Sequence, residues 1–238
     1  MCVMTPSTDP TQLELLASAN QRLVLTVDGL DDATFAQPSL LPDWTVGHVL
    51  AHLALNGEGL AGALRGVISG AGTPMYESQE ARESDIAELG VAAPSEIRSR
   101  VQASTTLFDR EISSLPDDQW EVTIERTPGH PAFRARSTVL MRLREVEIHH
   151  ADLGLAYTHD DWVPAFSAQV IESASHRDWP SSFRVLARDL AETWAIGEGE
   201  PGATVSGDSH DLAWWLTGRG EGGRLTVDHD ELPEVPAW

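Results

Sequence analysis

Along the first two thirds of the chain, apolar residues recur at helical rather than strand spacing. Leu13, Leu16, Leu23, Val27 and Leu30 form one such stripe, and Asp9 before Pro10, with Gln12 three positions after the aspartate, supplies the start signal of a first helix. The turn-rich stretch QPSLLPDW leads to a second segment, TVGHVLAHLALNGEGLAGALRGVISG, which Thr45 is placed to cap. Val49, Leu53, Leu60 and Leu64 supply its apolar positions, with His48, His52 and Asn56 beside them at successive i, i+4 steps. The glycines of its C-terminal half are poor helix formers. A loop is expected around Pro74 to Glu80, then a third helix from about Pro94 to Leu115 whose apolar face is Ile97, Val101, Phe108, Ile112 and Leu115. The alternation of Trp120, Val122 and Ile124 before the turn TPGHP predicts a small hairpin or an ordered loop. A fourth helix, STVLMRLREVEIHHADLG, starts near Ser137 and stops at Gly154.

From Tyr157 to Pro164 the chain is polar and irregular, and beyond it the pattern changes. A helix PAFSAQVIESASH is followed by strand-like runs at Phe183 to Leu190, Thr193 to Ile196 and Ala203 to Ser206, a short helix SHDLAWWLTGR and a strand RLTVD. The expected fold class is therefore α+β: a four-helix bundle with a crossover connection over residues 1–158, followed by a small α+β domain over 159–238.

Composition narrows the function classes. The chain has 238 residues, enough for a core that needs no staples. Its 37 acidic residues oppose 16 basic ones for a net charge of −21, and every basic residue is arginine. That balance excludes the electrostatic footprint of nucleic-acid binding and argues against an anionic membrane surface; the absence of lysine excludes Schiff-base chemistry. No apolar run is long enough for a membrane span and no basic stretch precedes one, so neither a span nor a signal peptide is expected. The single cysteine, Cys2, permits no internal disulfide and implies a reducing, cytoplasmic setting. A thiol used in chemistry comes from outside the chain.

The candidate chemistry sits on the second and fourth helices. Glu145, Glu147, His149 and His150 fall within six residues, and Glu145 and His149 share a face one turn apart, as do His48 and His52. A histidine from one helix with a glutamate and a histidine from another makes a three-ligand set with open positions, the pattern of a catalytic zinc site. Spacing leaves the members open: His48 or His52, Glu145 or Glu147, His149 or His150. The zinc-protease signature H-E-x-x-H is absent.

The blocks DWTVGHVLAHLALN, REVEIHHADLG and WWLTGRG together resemble the mycothiol-dependent maleylpyruvate isomerase family. That resemblance implies a DinB-like metal-binding four-helix bundle with a C-terminal domain related to sterol carrier proteins. By motif position it implies His52, Glu145 and His149 as ligands of Zn2+ or another divalent metal, and Arg219 as the functional arginine. Secondary roles for His48, His150 or Asp152 stay open. The segment TPMYESQEAR resembles the corresponding stretch of the isomerase and makes Tyr76 and Arg82 candidates for substrate contact. The implied reaction is isomerisation of maleylpyruvate to fumarylpyruvate in the gentisate pathway of aromatic degradation, with mycothiol as thiol cosubstrate and a small dicarboxylate as substrate. A mycothiol-dependent S-transferase on the same scaffold is the alternative, and a non-enzymatic apolar-ligand binder a more distant one. A monomer is slightly favoured. A dianionic substrate approaching a chain of net charge −21 must be met by local cations, which directs attention to the arginines, Arg219 first.

Overall fold

A computed structural model of the chain describes residues 10–229 and 231–236, so Cys2 and the Asp9 start signal lie outside the described residues. Helix α1 (Pro10–Gly29) is joined by a one-turn 3-10 segment to α2 (Val46–Ser69). Thr45 caps α2: its hydroxyl accepts from the backbone N–H of His48, and the His48 ring reaches back to the Thr45 N–H. Gly70, in the left-handed region at φ 73°, ends the helix. Helices α3 (Gln79–Gly90), α4 (Pro94–Ser113) and α5 (Ser137–Asp152) follow, with a hairpin of β1 (Thr123–Glu125) and β2 (Ala132–Arg134) between α4 and α5.

Helices α1, α2, α4 and α5 make the four-helix bundle, and α3 packs on α2. The hydrophobic pattern predicts no helix between Glu80 and Pro94. Helix α3 buries only Ile86, Leu89 and Gly90, too few apolar positions to announce it, and is carried by the Ser78 N-cap and by docking on α2. Its first turn contains Arg82, so TPMYESQEAR is a loop only as far as Ser78.

Elsewhere the predicted faces are the buried ones. Leu16, Leu23 and Val27 of α1, Val49, Leu53, Leu60 and Leu64 of α2, and Ile97, Val101 and Phe108 of α4 are almost or entirely inaccessible, whereas Leu13 is 39% exposed. Within this core Glu147 is fully buried and paired with Arg22 (Oε1–Nη2 2.5 Å), which ties α5 to α1.

The chain divides into two compact units, one ending at Leu155 and the other beginning at Ala156. In the second, a sheet of order β4-β3-β5-β6 is built from β3 (Phe183–Ala187), β4 (Glu192–Ile196), β5 (Thr204–Gly207) and β6 (Thr226–Val227). β3 pairs parallel with β5, and the other pairings are antiparallel. Phe183, Val185 and Ala187 alternate inward on β3, and α6 (Pro164–Ser175) and α7 (Ser209–Leu216) pack on the sheet. β3 stops at Ala187 rather than Leu190 because the chain turns there, with Ala191 at φ 52° before β4. Among the described residues, no helix is long and apolar enough to cross a membrane.

Gly47, Gly57, Gly59 and Gly66 of α2 mark close approaches rather than weak helix, and Gly62 does not. A Cβ at Gly47 would lie 2.5 Å from the Gly90 carbonyl oxygen at the end of α3, whereas one at Gly62 would meet nothing within 4 Å. The two positions therefore respond oppositely to the same substitution. Gly47→Ala is expected to lower stability by about 1–3 kcal/mol through overpacking, and Gly62→Ala to raise it by about 0.5–1 kcal/mol through helix propensity. Urea midpoints at constant m-value measure both.

Candidate metal centre

Two helices build the site. His52 projects from α2, and Glu145 and His149 project from one face of α5 toward it. Glu145 Oε2 lies 2.8 Å from His52 Nε2 and 3.3 Å from His149 Nε2, and one donor atom from each residue lies within 4.8 Å of the others. The two imidazoles meet edge to face with centroids 4.7 Å apart. The His52 side chain is 5% exposed and that of Glu145 28%, so the group is walled on the α2 side and open at the carboxylate.

The surroundings set the protonation of each member. Burial pushes the Glu145 carboxyl up, but the charge and hydrogen bonds of His52 and His149 outweigh it and hold it well below the usual range. Burial likewise opposes charge on His149, yet hydrogen bonds to Asp152 and Glu145 raise its pKa. For His52 burial wins and the pKa falls. Asp152, itself buried, accepts from His149 Nδ1 at 2.8 Å, which leaves His149 Nε2 facing Glu145. On the other ring, Arg82 Nη2 lies 3.2 Å from His52 Nδ1. A guanidinium only donates, so this Nδ1 accepts and the ring proton sits on Nε2, pointing at Glu145.

Two imidazole nitrogens and a carboxylate oxygen converging this closely fit a borderline divalent cation such as zinc and leave coordination positions for a ligand. The Asp152 contact is of the kind that would orient His149 toward such a cation. A cation held at His52 Nε2 would require the ring proton to sit on Nδ1, which would then face the Arg82 donor rather than accept from it.

A turn that the sequence reading treated only as a connection supplies another wall. Asp43, at φ 63°, folds LPDW back on itself, and the Leu40 N–H is held by the Asp152 carbonyl at 2.9 Å. This brings Trp44 edge-on to His52 with ring centroids 5.8 Å apart. On the opposite side, backbone N–H groups of Met75 and Tyr76 bond the Glu125 and Arg126 carbonyls, each at 2.9 Å, and so pin the loop to the hairpin. Tyr76 and Arg82 line a cavity of about 220 Å³ with Leu55, Gly59 and Met75. Burial raises the Tyr76 phenol, and the guanidinium carbons of Arg82 and Arg126 lie 5.6 and 5.8 Å from its ring centroid.

Arg142 is the functional neighbour that sequence reasoning missed. Fully buried one turn before Glu145, it donates from Nη1 to the Leu53 carbonyl (2.7 Å) and to Asn56 Oδ1 (3.0 Å). Burial pushes its pKa down to about 10. Its signal in the sequence was Asn56 on the histidine stripe, a buried amide waiting for a donor.

The other candidates separate cleanly. His48 is engaged with Thr45 at the helix cap, and His150 Nε2 bonds Thr26 Oγ1 on α1 at 2.9 Å. Glu147 belongs to the Arg22 pair. Arg219 lies in the second unit, bonded from Nη1 to the Thr217 carbonyl at 3.1 Å and over the Trp214 ring at 5.7 Å. With His159, Trp214 and Arg224 it lines a separate cavity of about 180 Å³. Two further His and Asp groups lie in that unit, His159–Asp160–Asp211 and Asp208–His210–Asp211, but Arg224 is already bonded to Asp160, Asp211 and His159.

The mycothiol maleylpyruvate isomerase N-terminal domain family matches residues 16–154. Among solved structures, the crystal structure of the mycothiol-dependent maleylpyruvate isomerase is similar over 96% of this chain and 96% of that one, at 27% identity and a TM-score of 0.87. A crystal structure of a histidine-to-alanine mutant of that isomerase matches with the same coverage and identity and a TM-score of 0.85. No curated protein matches. The family match spans α2 and α5 in full and with them His52, Glu145 and His149, and by it the chain belongs to the mycothiol maleylpyruvate isomerase N-terminal domain family.

Proposed function

We propose that this protein is a mycothiol-dependent isomerase that converts maleylpyruvate to fumarylpyruvate. The observation that carries the reading is the convergence of His52, Glu145 and His149, with Asp152 orienting His149, in a fold shared along almost the whole chain with the mycothiol-dependent isomerase. The cosubstrate fits the composition, since the one cysteine of the chain is Cys2, outside the two helices that build the site.

A carbon–carbon double bond does not rotate while intact. A thiolate that adds to the alkene carbon β to the ketone moves the π electron pair onto the carbonyl oxygen as an enolate and leaves a single bond where the double bond was. Rotation about that bond, return of the electron pair and expulsion of the thiolate give the trans isomer and regenerate the thiol. A divalent cation held by His52, Glu145 and His149, zinc in this reading, supplies when bound a Lewis acid that keeps a coordinating thiol ionised.

The chain's own groups do the rest. Asp152 retains the proton of His149 at Nδ1, and Trp44 covers one side of His52 against water. Tyr76, whose phenol is raised by burial, stays protonated at neutral pH and donates to the oxygen on which charge develops. Arg82, beside it, offers a permanent positive charge to a carboxylate. Arg219 is assigned the same kind of task from the second unit, as a clamp or a stabiliser of developing charge.

Mixing pure protein with maleylpyruvate, with and without mycothiol, tests the reaction: fumarylpyruvate forms only when the thiol is present, and the thiol is not consumed. A product that carries the thiol identifies an S-transferase instead. Arg219→Ala is expected to lose most turnover with its metal content unchanged, and near-normal turnover in the purified variant removes Arg219 from the mechanism.

Metal titration after chelator treatment tests the ligand set. His52→Ala and His149→Ala each lose stoichiometric binding, and His48→Ala and His150→Ala keep it. Asp152→Asn weakens affinity about 10- to 100-fold.

A further inference from the structure

The chain carries 37 carboxylates against 16 arginines and no lysine, so an arginine finds an acidic partner easily. Arg65, Arg98, Arg100, Arg134 and Arg136 of the first unit each reach one within 3.1 Å. Arg82 and Arg126 do not. Among the described residues neither makes an ion pair: Arg82 contacts His52 Nδ1 and the face of Tyr76, and the guanidinium of Arg126 contacts only the face of Tyr76. Both are half-buried, and the buried Nε of Arg82 makes no hydrogen bond, which is costly for a guanidinium. Two such cations on one ring, in a chain of this charge, are spare binding capacity for an anion.

We propose that Arg82 and Arg126, with Tyr76 between them, form a dicarboxylate-binding subsite in which each guanidinium takes one carboxylate of the substrate. With both guanidinium carbons within 5.8 Å of one ring centroid, a single small dicarboxylate spans them. Three carboxylates, Glu58, Glu77 and Asp85, line the same cavity as Tyr76 and Arg82, and Glu58 is already held by Arg100 at 2.6 Å. Arg126 is held for this role by its backbone, since its carbonyl accepts from the Tyr76 N–H and its own N–H donates to the Pro131 carbonyl. Selectivity for two carboxylates over one then rests on Arg126, because Arg82 alone serves the acid nearest His52. This subsite deepens the proposed isomerase reading and rests on it for the identity of the substrate.

Titration calorimetry of the metal-loaded protein without thiol, using maleate as a dicarboxylate and crotonate as a monocarboxylate, tests it. Arg126→Gln is expected to weaken maleate about 10- to 100-fold and to leave crotonate unchanged, while Arg126→Lys recovers part of the loss. Arg134→Gln, on the same hairpin and paired with Glu121, is the control and leaves both affinities unchanged. With mycothiol present, the KM of Arg126→Gln for maleylpyruvate rises by a similar factor at unchanged kcat. Equal loss of maleate and crotonate, or maleate affinity within twofold of wild type, overturns the subsite. Turnover of maleylpyruvate with an unchanged KM in Arg126→Gln also overturns it while leaving the isomerase reading in place. Selective maleate loss in a protein whose wild type does not isomerise maleylpyruvate upholds the subsite and overturns that reading.

Discussion

The geometry of the candidate metal centre depends on one buried charge. Arg142 has no exposed surface, and its guanidinium spans from α5 to the Leu53 carbonyl and Asn56 side chain of α2. Its Nε and Nη2 make no hydrogen bond among the described residues, so the two bonds from Nη1 carry the whole interaction. Leu53 follows His52 directly, and Arg142 precedes Glu145 by one turn. Holding the one pair therefore sets the axial position of the other. Gly57 is part of the same device, because a Cβ there would come within 3.1 Å of the guanidinium.

Helix α5 shows how packing divides one polar run among several tasks. Glu145 and His149 turn toward α2, whereas Glu147 and His150 turn toward Arg22 and Thr26 of α1. Asp152, a further turn along, reaches back to His149. The 3.6-residue period separates the two pairs onto two faces, and each face meets a partner of the right chemistry. None of these groups is left as a buried unpaired charge, which is why four ionisable residues fit in six positions of a bundle helix.

Net charge acts on the site at a different range. At physiological ionic strength the screening length is about 8 Å, so a small anion near Tyr76 feels Arg82 and Arg126 far more strongly than the distant surface carboxylates. The acidic surface is offset locally by two guanidinia held beside one aromatic ring. Sequence reasoning directed the search for such cations to Arg219 first. The structure places Arg219 over Trp214 in the second unit and, in the first, brings to the Tyr76 ring two arginines separated by 43 intervening residues and a whole helix in the chain.

Local periodicity by itself determined the bundle helices, the Thr45 cap, the α+β character of the C-terminal part and the i, i+4 pairing of Glu145 with His149. Each of these rests on residues within a few positions of one another, and neighbour spacing is what a linear pattern records. Motif resemblance, rather than spacing, singled out His52 from His48. Tertiary structure alone decided that α3 exists, that Trp44 and Arg142 frame the site, that Asp152 rather than His48 or His150 touches a proposed ligand, and that Arg126 stands beside Tyr76. Apart from the Asp152–His149 contact, which lies within one helical turn, these features are held by contacts between segments 30 or more positions apart, such as Arg82 with His52, Tyr76 with Arg126, Asn56 with Arg142 and Leu40 with Asp152. The periodicity of a segment states which of its residues share a face, but what that face meets is set by the packing of the whole bundle.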